Sequence, residues 1–155
     1  MILRLPTIFL DFDGVLHTMG NTGSKPFHQL QLLEATLAAP PCDCQIVISS
    51  SWRFHYSLDE LRGQLGGLSS LVMGVTPEIR PCSDQRYHEI MEVVVSHGLE
   101  KWIAIDDAIN EFPPDCENLL ACDPRMGFTE TEAERLRLWL LCHEMPKLST
   151  VTKRP

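Results

Sequence analysis

Short apolar runs alternate along this chain with longer segments of helical periodicity, and this alternation constrains the fold more than any other feature. The apolar runs predict strands near residues 7–11, 45–49, 70–75, 102–106 and 118–122. The intervening and final segments predict helices near residues 26–38, 57–65, 84–98 and 129–143. Strands that are apolar along their whole length are typically buried on both faces, between layers of helices. The sequence therefore predicts an α/β domain with a central parallel sheet.

The first predicted strand ends in two aspartates that are separated by one residue. Within residues 8–16, Asp11 closes the apolar run, Asp13 follows, and Gly14 lets the backbone turn away. Like charges this close are costly to desolvate, so such a pair usually binds a cation or shares a proton. A solvated turn after a strand is the alternative interpretation.

Two further predicted strands end in polar residues. Three serines at 49–51 follow the second strand, and Asp106 and Asp107 follow the fourth. Hydroxyl groups and free backbone N–H groups at the end of a strand suit a phosphate oxygen. A small set of oxygen ligands suits Mg²⁺ better than Zn²⁺. Because parallel strands present their carboxyl ends at one edge, we expect all these side chains to converge on one crevice.

The overall composition limits the classes of protein to which the chain can belong. A chain of 155 residues with 44% hydrophobic content suits one folded domain, which we place at 1–145, with a flexible tail at 146–155. No apolar stretch approaches the ~20 residues of a membrane span, and we expect a cytoplasmic location. The net charge of −8 gives no general basis for nucleic-acid binding. Six cysteines without a Cys-x-x-Cys pair are expected to be free thiols.

These motifs resemble those of the haloacid dehalogenase-like (HAD) superfamily, which begins with the pattern Asp-x-Asp-Gly. The resemblance runs from Ile8 to about Cys142. A closer likeness is to the small HAD domains of Swiss-army-knife RNA repair proteins. It rests on Trp52 after the serines at 49–51 (the second motif), on residues 86–90 ahead of the strand that ends in Asp106 and Asp107 (the fourth motif), and on residues 123–129 before the last helix. The likeness implies a three-layer Rossmann-like fold with a five-stranded parallel sheet in the order 5-4-1-2-3.

The resemblance also implies roles for individual residues. Asp11 is the expected phosphate-accepting nucleophile, and Asp13 is the expected general acid and base. The expected ligands of Mg²⁺ are Asp11, the backbone carbonyl of Asp13, and Asp106, with Asp107 acting through water or by orientation. The expected activity is phosphomonoester hydrolysis through a covalent aspartyl-phosphate.

For two of the expected phosphate ligands, the sequence offers two alternative residues each. For the hydroxyl of the second motif we favour Ser50, with Ser49 second. The family usually has a lysine near the start of the helix before the fourth motif, but this chain has no lysine between Lys25 and Lys101. A guanidinium can neutralise phosphate as well, so Arg86 is the candidate and Arg80 the runner-up.

The substrate is expected to be bulky. About 30 residues separate Asp13 from the second strand, which is too few for an inserted cap domain. An open site admits a phosphorylated protein or a nucleic-acid end. A nucleic-acid end would be held locally by four residues through stacking and charge: Trp52, Arg53, His55 and Tyr56. Alternatively, Trp52 packs in the core and Arg53 pairs with a surface acid.

Two other functions compete with a phosphatase. A receiver-type signalling module also groups acids around a phosphorylatable aspartate, but its acceptor ends a middle strand, which here ends in serine. A catalytically idle domain of the same fold would bind a partner without turnover. The intact Asp11 and Asp13 count against the idle domain, and the missing lysine counts for it. The sequence leaves the oligomeric state open.

Overall fold

A computed structural model describes residues 5–20, 25–39 and 43–143. These residues form a five-stranded parallel sheet flanked by helices. The strands are β1 (Thr7–Leu10), β2 (Gln45–Ile48), β3 (Val72–Val75), β4 (Trp102–Asp106) and β5 (Leu119–Ala121). The helices are α1 (Leu30–Ala38), α2 (Leu58–Gln64), α3 (Gln85–His97) and α4 (Glu130–Cys142).

The strands lie in the order β3-β2-β1-β4-β5, which is the predicted order 5-4-1-2-3 read from the opposite edge. All five strands and four helices predicted from the sequence are present. Helix α1 begins later than predicted, at Leu30, because the chain first makes a turn in which Phe27 has a φ of 58°. That left-handed conformation interrupts a helix, since side chains other than glycine rarely adopt it.

The central strands are buried on both faces, and their side chains alternate between two apolar clusters. Leu10 and Ile48 point into the larger cluster, which α1, α2 and α4 cover. Phe9 and Val47 point into the smaller cluster, which α3 covers. This alternation gives three layers and explains why the strands read as unbroken apolar runs.

The ends of two helices follow from local sequence. A capping box begins α4, with Thr129 and Glu132 satisfying each other's backbone N–H groups. Gly98 ends α3 with a φ of 60°, in the left-handed region that favours glycine. Asp84 stands at the N-cap of α3 but accepts no cap hydrogen bond through its side chain.

The connections add no second domain in the described part of the chain. Helix α1 lies between β1 and β2, α2 lies between β2 and β3, and α3 lies between β3 and β4. No helix in these ranges is long and apolar enough to cross a membrane. The predicted tail at 146–155 lies outside the described residues.

Candidate active site

The register of the sheet places three candidate site residues in one row. Leu10 pairs with Ile48 of β2 and with Ile105 of β4. The next residue along each strand is therefore Asp11, Ser49 or Asp106, respectively. The Asp11 N–H donates to the Ile105 carbonyl at 3.1 Å, and the Ser49 N–H donates to the Leu10 carbonyl at 3.0 Å. The row continues the face covered by α3, because side chains alternate along a strand.

Asp11, Asp106 and Asp107 form a three-carboxylate cluster. One oxygen from each lies within 4.8 Å of the others. Backbone donors fix two of the carboxylates, since Asp11 accepts from the Phe12 N–H at 2.8 Å and Asp106 accepts from the Ala108 N–H at 2.9 Å. The first and fourth motifs are thus brought together, as the sequence predicted.

Gly14 makes room for this cluster. A Cβ atom at Gly14 would overlap the carboxylate of Asp107. Gly14 also has a φ of 70°, in the left-handed region that favours glycine. The glycine of the first motif therefore allows both the turn after Asp13 and the close approach of Asp107.

Arg86 reaches the cluster from the first turn of α3. Its Nη1 atom lies 2.8 Å from Asp106 Oδ2 and 3.4 Å from Asp11 Oδ1. Burial alone would lower the pKa of Arg86, but the neighbouring Asp11 and Asp106 raise it above its usual value. Arg80, the alternative, is exposed on the loop before α3. The geometry therefore favours Arg86 as the cation of the site.

One arginine does not offset the whole charge of the cluster. Burial and the nearby Asp11 raise the pKa of Asp106 to about 7, although Arg86 acts in the opposite direction. Burial and Asp11 also raise the pKa of Asp107. Buried carboxylates that resist ionisation are stabilised by a cation, and a donor set of oxygens suits a hard cation such as Mg²⁺. The residues present therefore fit the expected metal.

Asp13 lies in a different environment from Asp11. Its two carboxylate oxygens both accept from the Trp52 Nε1–H at 3.1 Å, and His17 Nε2 lies 2.8 Å from Asp13 Oδ1. Phe27 packs edge-on against the rings of both Trp52 and His17. The rings of Trp52, His17 and Phe27 form the aromatic side of the crevice, and the carboxylate of Asp13 is bound there. The predicted metal ligand of this residue is its backbone carbonyl.

The two candidate serines are placed differently. The Ser50 hydroxyl accepts from the Trp52 N–H at 3.5 Å and caps a short 3₁₀ turn at Ser51–Phe54. The Ser49 hydroxyl is buried in the row of Asp11, without a hydrogen-bond partner among the described residues. The geometry therefore favours Ser49 over the predicted Ser50. A shift of one residue moves a side chain to the other face of the sheet.

Arg53 is a structural residue of this edge. Its guanidinium pairs with Glu89, and both side chains are only 3% exposed. It also donates to the carbonyls of Ser49 at 2.8 Å, Ser50 at 3.0 Å and Thr76 at 3.1 Å. These contacts use the guanidinium of Arg53, which was expected to contact a nucleic acid. The alternative prediction, a pair with a surface acid, is also wrong, because Glu89 is buried.

The remaining residues of the predicted nucleic-acid surface are more accessible. Tyr56 is exposed and stacks on Trp52 with a centroid distance of 5.3 Å. His55 is exposed as well, whereas Trp52 is partly buried against the larger apolar cluster.

Sequence reasoning did not connect His17 with Asp13. Their spacing of four residues across the turn at Gly14 was the available signal.

A Rossmann-like sheet with paired aspartates at the ends of β1 and β4 defines the chain as a HAD-type α/β domain. A sequence model of the family described as "HAD domain in Swiss Army Knife RNA repair proteins" matches residues 7–133, which is most of the chain. The chain therefore belongs to this family, within a superfamily of hydrolases. Comparisons with curated proteins and with solved structures gave no match.

Proposed function

We propose that this domain is a Mg²⁺-dependent phosphatase that hydrolyses phosphomonoesters through a covalent aspartyl-phosphate on Asp11. The observation that supports it best is the placement of Asp11. This carboxylate belongs to the three-carboxylate cluster and lies beside Arg86. The second aspartate of the motif is held apart, by Trp52 and His17. A nucleophile and a separate acid are the two groups that this chemistry requires.

The metal would be held by the carboxylates of Asp11 and Asp106 and the backbone carbonyl of Asp13, with Asp107 acting through water or by orienting the others. When bound, Mg²⁺ supplies positive charge that neutralises the phosphoryl oxygens. The fit rests on the oxygen-only cluster and on the raised pKa values of Asp106 and Asp107.

Asp11 forms the new bond to phosphorus while the bond to the leaving oxygen breaks. Its carboxylate is oriented by the Phe12 N–H and by Arg86. Arg86 and the hydroxyl of Ser49 donate to the phosphoryl oxygens. The sequence had favoured Ser50 as the hydroxyl donor. Fixed donors of this kind stabilise the charge that spreads over the oxygens in the transition state.

Asp13 transfers a proton in both halves of the reaction. It first donates a proton to the departing alkoxide, and it then takes one from the water that hydrolyses the aspartyl-phosphate. Its side chain is 38% exposed, so water reaches it. The contacts from Trp52 and His17 hold the carboxylate in place for both transfers.

The proposed substrates include a phosphorylated nucleic-acid end. Support comes from the family description, which refers to RNA repair, and from exposed Tyr56, whose ring is stacked on Trp52 next to Asp13. A base could stack on this ring. The net charge of −8 opposes long-range attraction of nucleic acid, so such binding would depend on local contacts.

The first test is hydrolysis of p-nitrophenyl phosphate by the wild type with Mg²⁺, by the wild type with EDTA, and by Asp11→Asn with Mg²⁺. We expect EDTA to abolish turnover and Asp11→Asn to reduce it at least about a thousandfold, because the nucleophile is lost. Asp59→Asn is the matched control, since Asp59 is an exposed carboxylate in the first turn of α2.

Equal activity of Asp11→Asn and the wild type would reject the nucleophile. A folded wild type without activity toward either p-nitrophenyl phosphate or phosphorylated oligonucleotides would favour the idle binding domain. Comparing oligonucleotides that carry a 5′- or a 3′-phosphate with a small alkyl phosphate then tests the substrate class. A higher kcat/KM for an oligonucleotide end would support it, and a preference for the small ester would reject it.

A further inference from the structure

Thr76 extends the row of functional residues by one strand. Ile48 pairs with Val75 of β3, so the residues that follow, Ser49 and Thr76, lie side by side. The Thr76 N–H donates to the Ile48 carbonyl at 2.9 Å, which continues the pairing past the end of β3. The row at the carboxyl edge therefore reads Thr76, Ser49, Asp11 and Asp106, and none of the motifs that define the resemblance includes Thr76.

Ser49 and Thr76 form a hydroxyl pair that has no partner within the described residues. Ser49 is 0% and Thr76 is 2% exposed, and neither side-chain oxygen has a hydrogen bond there. Most buried side-chain polar atoms are hydrogen-bonded, and each exception requires an explanation. Two exceptions on neighbouring strands, next to the nucleophile, indicate a group that accepts hydrogen bonds from both.

Arg53 holds the backbone of this hydroxyl pair in place. Its guanidinium donates to the carbonyl of Ser49 at 2.8 Å and to that of Thr76 at 3.1 Å. The guanidinium is itself fixed by Glu89 of α3, which lies one turn after Arg86. The same helix therefore supports the hydroxyl pair and delivers the cation. Such preorganisation of the backbone is typical of a binding site.

We propose that Thr76 is a second hydroxyl donor of the phosphoryl site, and that Ser49 and Thr76 together donate to one phosphoryl oxygen. This inference rests on the proposed function. Neighbouring strands are about 4.8 Å apart, so an oxygen between the two hydroxyls can accept from both. The hydroxyl pair and Asp106 lie on opposite sides of Asp11 in the row, so the oxygen that accepts from the hydroxyl pair would lie on the side of Asp11 away from Asp106.

The test compares Thr76→Val, Thr76→Ser and the wild type for binding of inorganic phosphate in the presence of Mg²⁺, by calorimetry and by inhibition of turnover. Thr76→Val should bind phosphate about ten- to a hundredfold more weakly, because a hydrogen bond to a charged acceptor is lost. Thr76→Ser should restore most of the affinity. Thr76→Val should also unfold at no lower temperature than the wild type, since removing an unpaired buried hydroxyl removes a desolvation penalty.

Thr36→Val is the matched control. Thr36 is also buried, but its hydroxyl donates to the Leu32 carbonyl at 2.7 Å within α1. This variant should lose stability and keep its affinity for phosphate. If Thr76→Val binds phosphate as tightly as an active wild type, the role of Thr76 is overturned and the proposed function stands. If the wild type neither hydrolyses phosphomonoesters nor binds phosphate, both fail. Binding without hydrolysis that weakens in Thr76→Val supports the hydroxyl pair and rejects only the proposed turnover.

Discussion

Asp11 and Asp13 are two residues apart in the chain, but they lie in two different environments. The side chain of Asp11 is 6% exposed and contacts Arg86 in the three-carboxylate cluster. The side chain of Asp13 is 38% exposed and contacts His17, with the indole of Trp52 donating to it. One side of the crevice is thus charged and buried, and the other is aromatic and open to water.

The difference follows from the backbone. Asp11 continues the alternation of β1 and points toward α3, whereas the chain has begun to turn at Asp13 and Gly14. Two carboxylates placed in different surroundings can take different roles. The charged side suits a nucleophile, with Arg86 beside it to offset negative charge. The open side suits a group that must receive a proton from water.

The largest effect expected from this comparison is on the second half of the reaction in Asp13→Asn. p-Nitrophenolate leaves without a proton, so Asp11 should still be phosphorylated. Hydrolysis of the aspartyl-phosphate requires a base and should slow by about 10²–10⁴-fold. Rapid-mixing measurements should therefore show a burst of about one equivalent of p-nitrophenolate, followed by slow turnover.

Asp11→Asn provides the contrast, since it should show neither the burst nor the slow phase. Loss of the burst in Asp13→Asn as well would mean that both carboxylates act on the first step. The two environments would then not correspond to two roles.

A second prediction concerns the stability of the metal-free charged side. The pKa of Asp106 is raised from 3.8 to about 7, so the folded protein binds a proton that the unfolded chain releases between these values. The free energy of unfolding should therefore fall as the pH rises from about 4 through about 7. Thermal unfolding in EDTA should show this fall. Asp106→Asn should show a smaller fall, because residue 106 no longer titrates.

If the three-carboxylate cluster binds Mg²⁺, the ion should counteract this fall in the free energy of unfolding. At pH 7.5 the ion should raise the unfolding temperature of the wild type more than that of Asp106→Asn, because binding stabilises only the folded state. If the unfolding temperatures of the wild type and Asp106→Asn changed equally with pH in EDTA, the electrostatic difference between the two sides would be contradicted. Asp59→Asn, which removes an exposed carboxylate, should follow the wild type under both conditions.

The fold and the charged side could be predicted from the sequence because both depend on patterns that persist over whole strands. Apolar runs locate the strands, and a parallel sheet brings their carboxyl ends together, so Asp11 and Asp106 had to meet. The resemblance offered Arg86 as the candidate cation and Arg80 as the runner-up, and the contacts of Arg86 with Asp11 and Asp106 became evident only in the structure.

The choice between Ser49 and Ser50 required the register of the sheet, which apolar runs define only to about one residue. The burial of Arg53 required knowledge of Glu89, 36 positions away in the chain. Contacts on the aromatic side were the hardest to predict. They depend on a turn at Gly14 and on a ring, Trp52, that follows a different strand.

The smallest expected effect tests whether the aromatic side acts on Asp13 through one hydrogen bond. Trp52→Phe keeps a ring against Phe12 and Phe27 but removes the N–H that donates to the carboxylate. The loss of one such bond should lower kcat about three- to tenfold and leave the affinity for inorganic phosphate unchanged. The decrease should be greater for an alkyl phosphate than for p-nitrophenyl phosphate, because only the alkoxide requires a proton from Asp13 as it leaves. Trp139→Phe, in a helix that covers the larger apolar cluster, is the control for ring replacement. Equal decreases for the two substrates would mean that Trp52 does not position Asp13 for protonation of the leaving alkoxide.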